Sequence, residues 1–120
     1  MKKTVVLGAS DNPARYAYKA IHRLQQHGHE VVPVGIKKGE VGGKKIIHDK
    51  DEPIEDVDTV TLYVGPQNQP SWYDYILSLK PKRIIFNPGT ENREFEQMAE
   101  KANIATLHHC TLVMLATDSY

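Results

Sequence analysis

The sequence has 120 residues, with 15 basic and 15 acidic side chains and a formal net charge of zero. That length makes one domain, residues 1–120, with a single core. The charge balance argues against a nucleic-acid or membrane-surface protein, which would carry a one-sided basic excess.

No apolar stretch approaches the 18 or so residues of a membrane span, and no charged start leads into a long apolar run of the secretory type. The single Cys110 forms no internal disulfide. These features set the expectation of a cytoplasmic protein. There is no internal repeat and no low-complexity segment.

Residues 4–7, TVVL, are an uninterrupted apolar, largely β-branched run. That is the pattern of a strand buried on both faces of a parallel sheet. Gly8, Ala9 and Ser10 follow, and a helix is expected over residues 13–27, with Pro13 at its first position and Asn12, or else Asp11, as its cap. Free N–H groups and the helix dipole at that end favour an anion, so strand, small-residue turn and helix together make a candidate phosphate cradle. Gly8 permits a sharp turn and a close approach. Arg15 offers a fork of donors for phosphate oxygens. The full dinucleotide fingerprint would need glycines where Ser10 and Pro13 stand.

Gly28 ends the helix, and residues 30–34 form the next strand, completing a βαβ unit. Residues 35–56 are read as a long irregular stretch, of the kind that is functional or mobile in a compact domain. Strands over residues 58–64, 83–86 and 104–107 alternate with helices over residues 72–79 and 93–102. The fold class is therefore α/β: a Rossmann-like, doubly wound, mainly parallel five-stranded sheet with helices on both faces. Residues 111–116 are assigned a closing helical turn.

In such a sheet ligands bind beyond the carboxyl ends of the strands. Those ends are Gly8-Ala9-Ser10, Pro33-Val34-Gly35, Tyr63-Val64-Gly65-Pro66 and Asn87-Pro88-Gly89-Thr90. An NAD site places an acidic residue at the end of the second strand to hold the ribose diol. This chain has Val34-Gly35-Ile36 there, followed by Lys37, Lys38, Lys44 and Lys45, which suits an extra phosphate on the ribose. Apolar burial of an adenine against Val34 and Ile36 is the larger source of affinity. Adenine, pyrophosphate and an additional ribose phosphate occur together in NADP and in coenzyme A, and the residues alone leave both open.

Other candidates are weaker. Cys110 beside His108 and His109 suggests a nucleophile or a metal site, but neighbours on a strand face opposite ways, and a zinc site wants three or four suitably spaced ligands. Glu91, Asn92 and Glu94 suit the first turn of a helix capped by Asn92 or Thr90 better than an acid/base pair. Trp72, Tyr73 and Tyr75 are read first as core, with an aromatic patch for a partner or for stacking as the alternative.

The succession GASDNPARYAYKA, GHEVVPVG, Gly42-Gly43-Lys44, VDTVTLYVGP, FNPGTEN and HHCTLVML resembles the small stand-alone CoA-binding domain family. It is similar also to the nucleotide-binding domain of the succinyl-CoA synthetase α subunit. The resemblance implies a Rossmann-like domain that binds coenzyme A or an acyl-CoA without chemistry of its own. It implies that Gly8, Ala9, Ser10 and Arg15 meet the phosphates. Pro33, Val34 and Ile36 would flank the adenine, a lysine such as Lys37 or Lys44 would reach the 3′-phosphate, and Val64, Gly65 and Pro66 would line the pantetheine path. Asn12, Gly35, Asn87, Pro88 and Gly89 complete the candidate site. The family often reads PVNP where this chain has Pro33-Val34-Gly35-Ile36. The synthetase's active-site histidine and ligase domain lie outside the matching region, so ligase activity is not expected. An NADP-dependent oxidoreductase and a CoA thioester-processing enzyme using Cys110 are the alternatives. The expected partner is a small-molecule nucleotide, with neither nucleic acid nor membrane, and a homodimer or a protein partner is left open.

Overall fold

The computed structural model describes residues 1–120. Seven strands are present: β1 (Thr4–Leu7), β2 (Val31–Val34), β3 (Glu40–Val41), β4 (Lys44–Lys45), β5 (Thr59–Leu62), β6 (Arg83–Phe86) and β7 (Ala105–His108). Four α-helices accompany them: α1 (Tyr16–Gln26), α2 (Tyr73–Ser78), α3 (Arg93–Lys101) and α4 (Thr111–Ala116). Five strands form one parallel sheet in the order β2-β1-β5-β6-β7. The doubly wound α/β fold expected from the sequence is the one observed.

Alternation along β1 divides the core. Val6 packs with Ala17, Ile21 and Leu24 of α1 and Leu115 of α4. Val5 and Leu7 face the other way and join Ile76 of α2 and Phe95 and Ala99 of α3. Because side chains point alternately to the two faces of a strand, a fully apolar strand needs a helical layer on each side. Trp72, Tyr73 and Tyr75 are all buried, and Tyr73 stacks on Phe95 with ring centroids 4.5 Å apart.

Helix α1 starts later than its sequence suggests. Arg15, not Asn12, is the residue before the first helical position, with extended φ and ψ of −84° and 142°. Asn12 instead closes a turn, accepting the Ala14 N–H on its Oδ1 and the Arg15 N–H on its carbonyl, each at 3.0 Å. A short side-chain amide competing for nearby N–H groups holds this Asn-Pro segment as a turn and delays the helix. At the other end Gly28, with φ of 83°, ends the helix as expected: its N–H reaches the Gln25 carbonyl and that of His29 reaches Leu24.

The stretch 35–56, read as irregular, contains a hairpin. β3 and β4 pair antiparallel around Gly42 and Gly43, whose φ values of 61° and 77° suit the two-residue turn that glycine pairs favour. Ile47 then runs alongside β2, donating its N–H to the Pro33 carbonyl and accepting the Gly35 N–H. The closing segment, residues 111–116, is a full helix packed beside α1.

Candidate functional site

Strand β1 sits between β2 and β5, so the connections leaving it and β5 diverge at their carboxyl ends. An open parallel sheet forms its crevice where strand order reverses in this way. Here the crevice is a cleft of about 1120 Å³, bounded by the ends of β1, β2, β5 and β6.

The cleft brings together Gly8, Ala9, Ser10, Arg15, Gly35, Ile36, Lys37, Val64, Gly65, Pro88 and Gly89 of the residues singled out from sequence. Six others do not line it. Asn12 holds the turn before α1. Pro33 and Val34 are buried in the sheet, because residues on a strand buried on both faces point into the core rather than along the strand axis toward the crevice. Lys44 lies on the hairpin, and Pro66 opens a 3-10 turn. Asn87 is 2% exposed and fully engaged within the fold. Its Nδ2 donates to Thr61 Oγ1 at 2.6 Å and to the Leu62 carbonyl at 2.8 Å, while its Oδ1 accepts the Thr111 N–H at 2.9 Å.

The small residues at the end of β1 shape the cleft rather than supply its donors. The N–H groups of Gly8 and Ala9 both go to the Val34 carbonyl, at 2.8 and 3.0 Å. Gly8 has φ of 94°, and a Cβ there would lie 2.9 Å from the Tyr63 carbonyl oxygen. Glycine is therefore required by the neighbouring strand as well as by the turn. Free donors come one step later, from the N–H groups of Ser10 and Asp11 and from the first turn of α1 at Tyr16 and Ala17. Arg15 stands at that helix end, where an anion is favoured.

Charge is unequal along the cleft. Arg15, Lys37 and Lys38 are exposed and make no ion pair, and Asp11 is the one carboxylate on the wall. Ile36, 80% exposed, and buried Ile46 give the same end apolar surface. The opposite end, walled by Val64, Trp72, Pro88 and Thr90, carries no charged side chain. Tyr63 belongs to this wall, and burial pushes its hydroxyl well above the usual tyrosine range, so it stays neutral. Lys50 lies over the Trp72 ring, 4.4 Å from its centroid.

Side-chain amides hold that neutral end in place. Gln69, fully buried, donates to the Val64 and Thr90 carbonyls, both at 2.8 Å, and accepts from Asn92 Nδ2 at 3.0 Å. Asn92 also caps α3 by accepting the Phe95 N–H at 3.2 Å. Glu91 accepts the Gly89 N–H at 2.8 Å. Sequence reasoning named Tyr63 only as part of a strand end, read Trp72 first as core and missed Gln69, whose only signal was its position between the end of β5 and Trp72.

The Cys-His group is taken apart by the fold. His108 Nε2 lies 2.8 Å from Glu96 Oε2, and His109 Nδ1 accepts the Cys110 N–H at 3.0 Å. Cys110 precedes α4 and is not on the cleft wall. No three His, Cys, Asp or Glu side chains converge on a common point. No helix is long and apolar enough to cross a membrane.

A family model described as CoA binding domain matches residues 2–116. The chain is 59% identical to a crystal structure of an uncharacterized protein, with a TM-score of 0.97 over 100% of this chain and 98% of that one. A hypothetical protein from Pyrococcus horikoshii OT3 is 29% identical, with a TM-score of 0.88 over 97% of this chain and 82% of that one. The dinucleotide-forming acetyl-coenzyme A synthetase 1 of Ca. Korarchaeum cryptofilum, solved with phosphate and ADP, is 21% identical with a TM-score of 0.72. This chain, over 90% of its length, spans 25% of that synthetase and shares its fold there. No curated protein matches the sequence.

Proposed function

The chain belongs to the CoA binding domain family, and from that premise we propose that its cleft binds coenzyme A or an acyl-CoA, as a binding module without chemistry of its own. The observation that carries this reading is the graded cleft: unpaired cations at one end, free N–H groups in the middle and an uncharged channel at the other. Coenzyme A has the same order of parts.

On this reading Lys37 and Lys38 meet the 3′-phosphate, and the adenine lies against Ile36 and Ile46. The pyrophosphate is held by Arg15 and the N–H groups of Ser10, Asp11 and the first turn of α1, where charge-assisted bonds are the strong ones. Pantetheine, neutral and extended, runs between Val64-Gly65 and Pro88-Gly89. On this reading the last wall holds a thiol or thioester rather than activating it. Both this role and a cytoplasmic location, where coenzyme A and a free Cys110 are compatible, are part of the proposal.

Calorimetric titration with CoA, 3′-dephospho-CoA, NADP and NAD tests it. Tightest binding of CoA, weakened several-fold without the 3′-phosphate, is the expected result. Preference for NADP would replace this reading with the oxidoreductase one, and binding of none of the four would remove it.

A further inference from the structure

The two edges of the sheet are treated differently. On β2, Pro33 has no N–H to offer, its carbonyl is taken by Ile47, and the Gly35 N–H goes back to Ile47. On β7 nothing comparable occurs, and every residue of Ala105–His108 keeps solvent exposure, whereas β1 and β5 are buried throughout.

The hydrogen-bond parity of β7 locates what is free. Ala105 and His109 donate to the Lys82 and Phe86 carbonyls of the β6 side, so residues 105, 107 and 109 turn their backbone groups inward. In a parallel ladder the residues between them turn theirs outward. The outward N–H groups at the two ends are already used, that of Ile104 by the Ala99 carbonyl and that of Cys110 by His109 Nδ1. Thr106 and His108 remain, with their N–H and C=O groups aimed away from the sheet. The strand carries no lysine, proline or bulge of the kind that blunts an exposed edge.

We propose that β7 pairs antiparallel with β7 of a second copy of this chain about a two-fold axis at Leu107, joining two five-stranded sheets into one. Leu107 then faces its own equivalent, and Thr106 of each copy exchanges both backbone bonds with His108 of the other. The outward groups of both copies are satisfied in this register, whereas a shift by one residue would oppose inward-turned positions. The free groups are disposed symmetrically about Leu107, so a second copy of the same strand satisfies all of them at once.

Sedimentation of the full chain tests the pairing. A species of twice 13.6 kDa is expected. Thr106→Pro removes an outward N–H that β6 does not use, and should raise the dimer dissociation constant at least about tenfold while leaving the binding cleft untouched. In a Cys110→Ser background, Leu107→Cys should cross-link to its equivalent on mild oxidation, because facing residues of a non-hydrogen-bonded pair lie about 4.5 Å apart. That reading stands even if the proline variant does not fold. A monomer at all concentrations up to about 1 mM, a folded Thr106→Pro chain as dimeric as wild type, or no cross-link would overturn the proposal.

Discussion

The two halves of the cleft are built by different means. On the β1 and β2 side the main chain does the work: two N–H groups converge on the Val34 carbonyl, and a Cβ on Gly35 would stand 3.0 Å from the Ala9 carbonyl oxygen. On the β5 and β6 side buried amide side chains do it, with Gln69, Asn87 and Asn92 tying three segments together. Main-chain packing leaves the side chains of the first half free to present charge to a ligand. In the second half the polar side chains are consumed by the fold, and what faces the cleft is neutral.

Substitutions separate the two constructions. The largest effect is expected from Gly8→Val, which forces a branched residue into φ of 94° against the Tyr63 carbonyl; a loss of about 4 kcal/mol should appear in chemical denaturation. Asn87→Ala strikes the other half, leaving Thr61, Leu62 and the Thr111 N–H short of partners. About 3 kcal/mol of stability should be lost, and a change below 1 kcal/mol would mean that the amide network is not what holds that half. Arg15→Ala should leave the melting temperature nearly unchanged and weaken CoA binding about tenfold, the effect of one charge-assisted contact. Replacing Lys37 and Lys38 together by alanine should weaken CoA about threefold while sparing 3′-dephospho-CoA, with the difference shrinking as salt is added.

Much of this was legible in the sequence, for local reasons. The apolar run at residues 4–7 announced a doubly covered strand, residues 83–86 were readable as a strand, Gly28 marked the end of α1, and Asn92 was readable as the cap of α3. The Gly42-Gly43 hairpin was equally local, but its strands are two residues long and show no alternation. The start of α1 was misplaced because Pro13 favours a first helical turn and Asn12 favours an Asx turn, and the second preference prevailed.

By itself the sequence determined the α/β order and the turn-forming character of each strand end, because these depend on periodicity and on residues within a few positions of one another. Only the tertiary structure decided which residues at those ends reach the cleft. Val34 and Asn87 are drawn inward while Ile36, Trp72 and Thr90 meet the ligand space, and the positions of Val34, Asn87 and Thr90 depend on partners 20 or more residues away in the chain. Likewise, the apolar pattern of β2 and β7 marked both as strands, but the difference between a covered edge and a bare one came from where Ile47 was brought to lie.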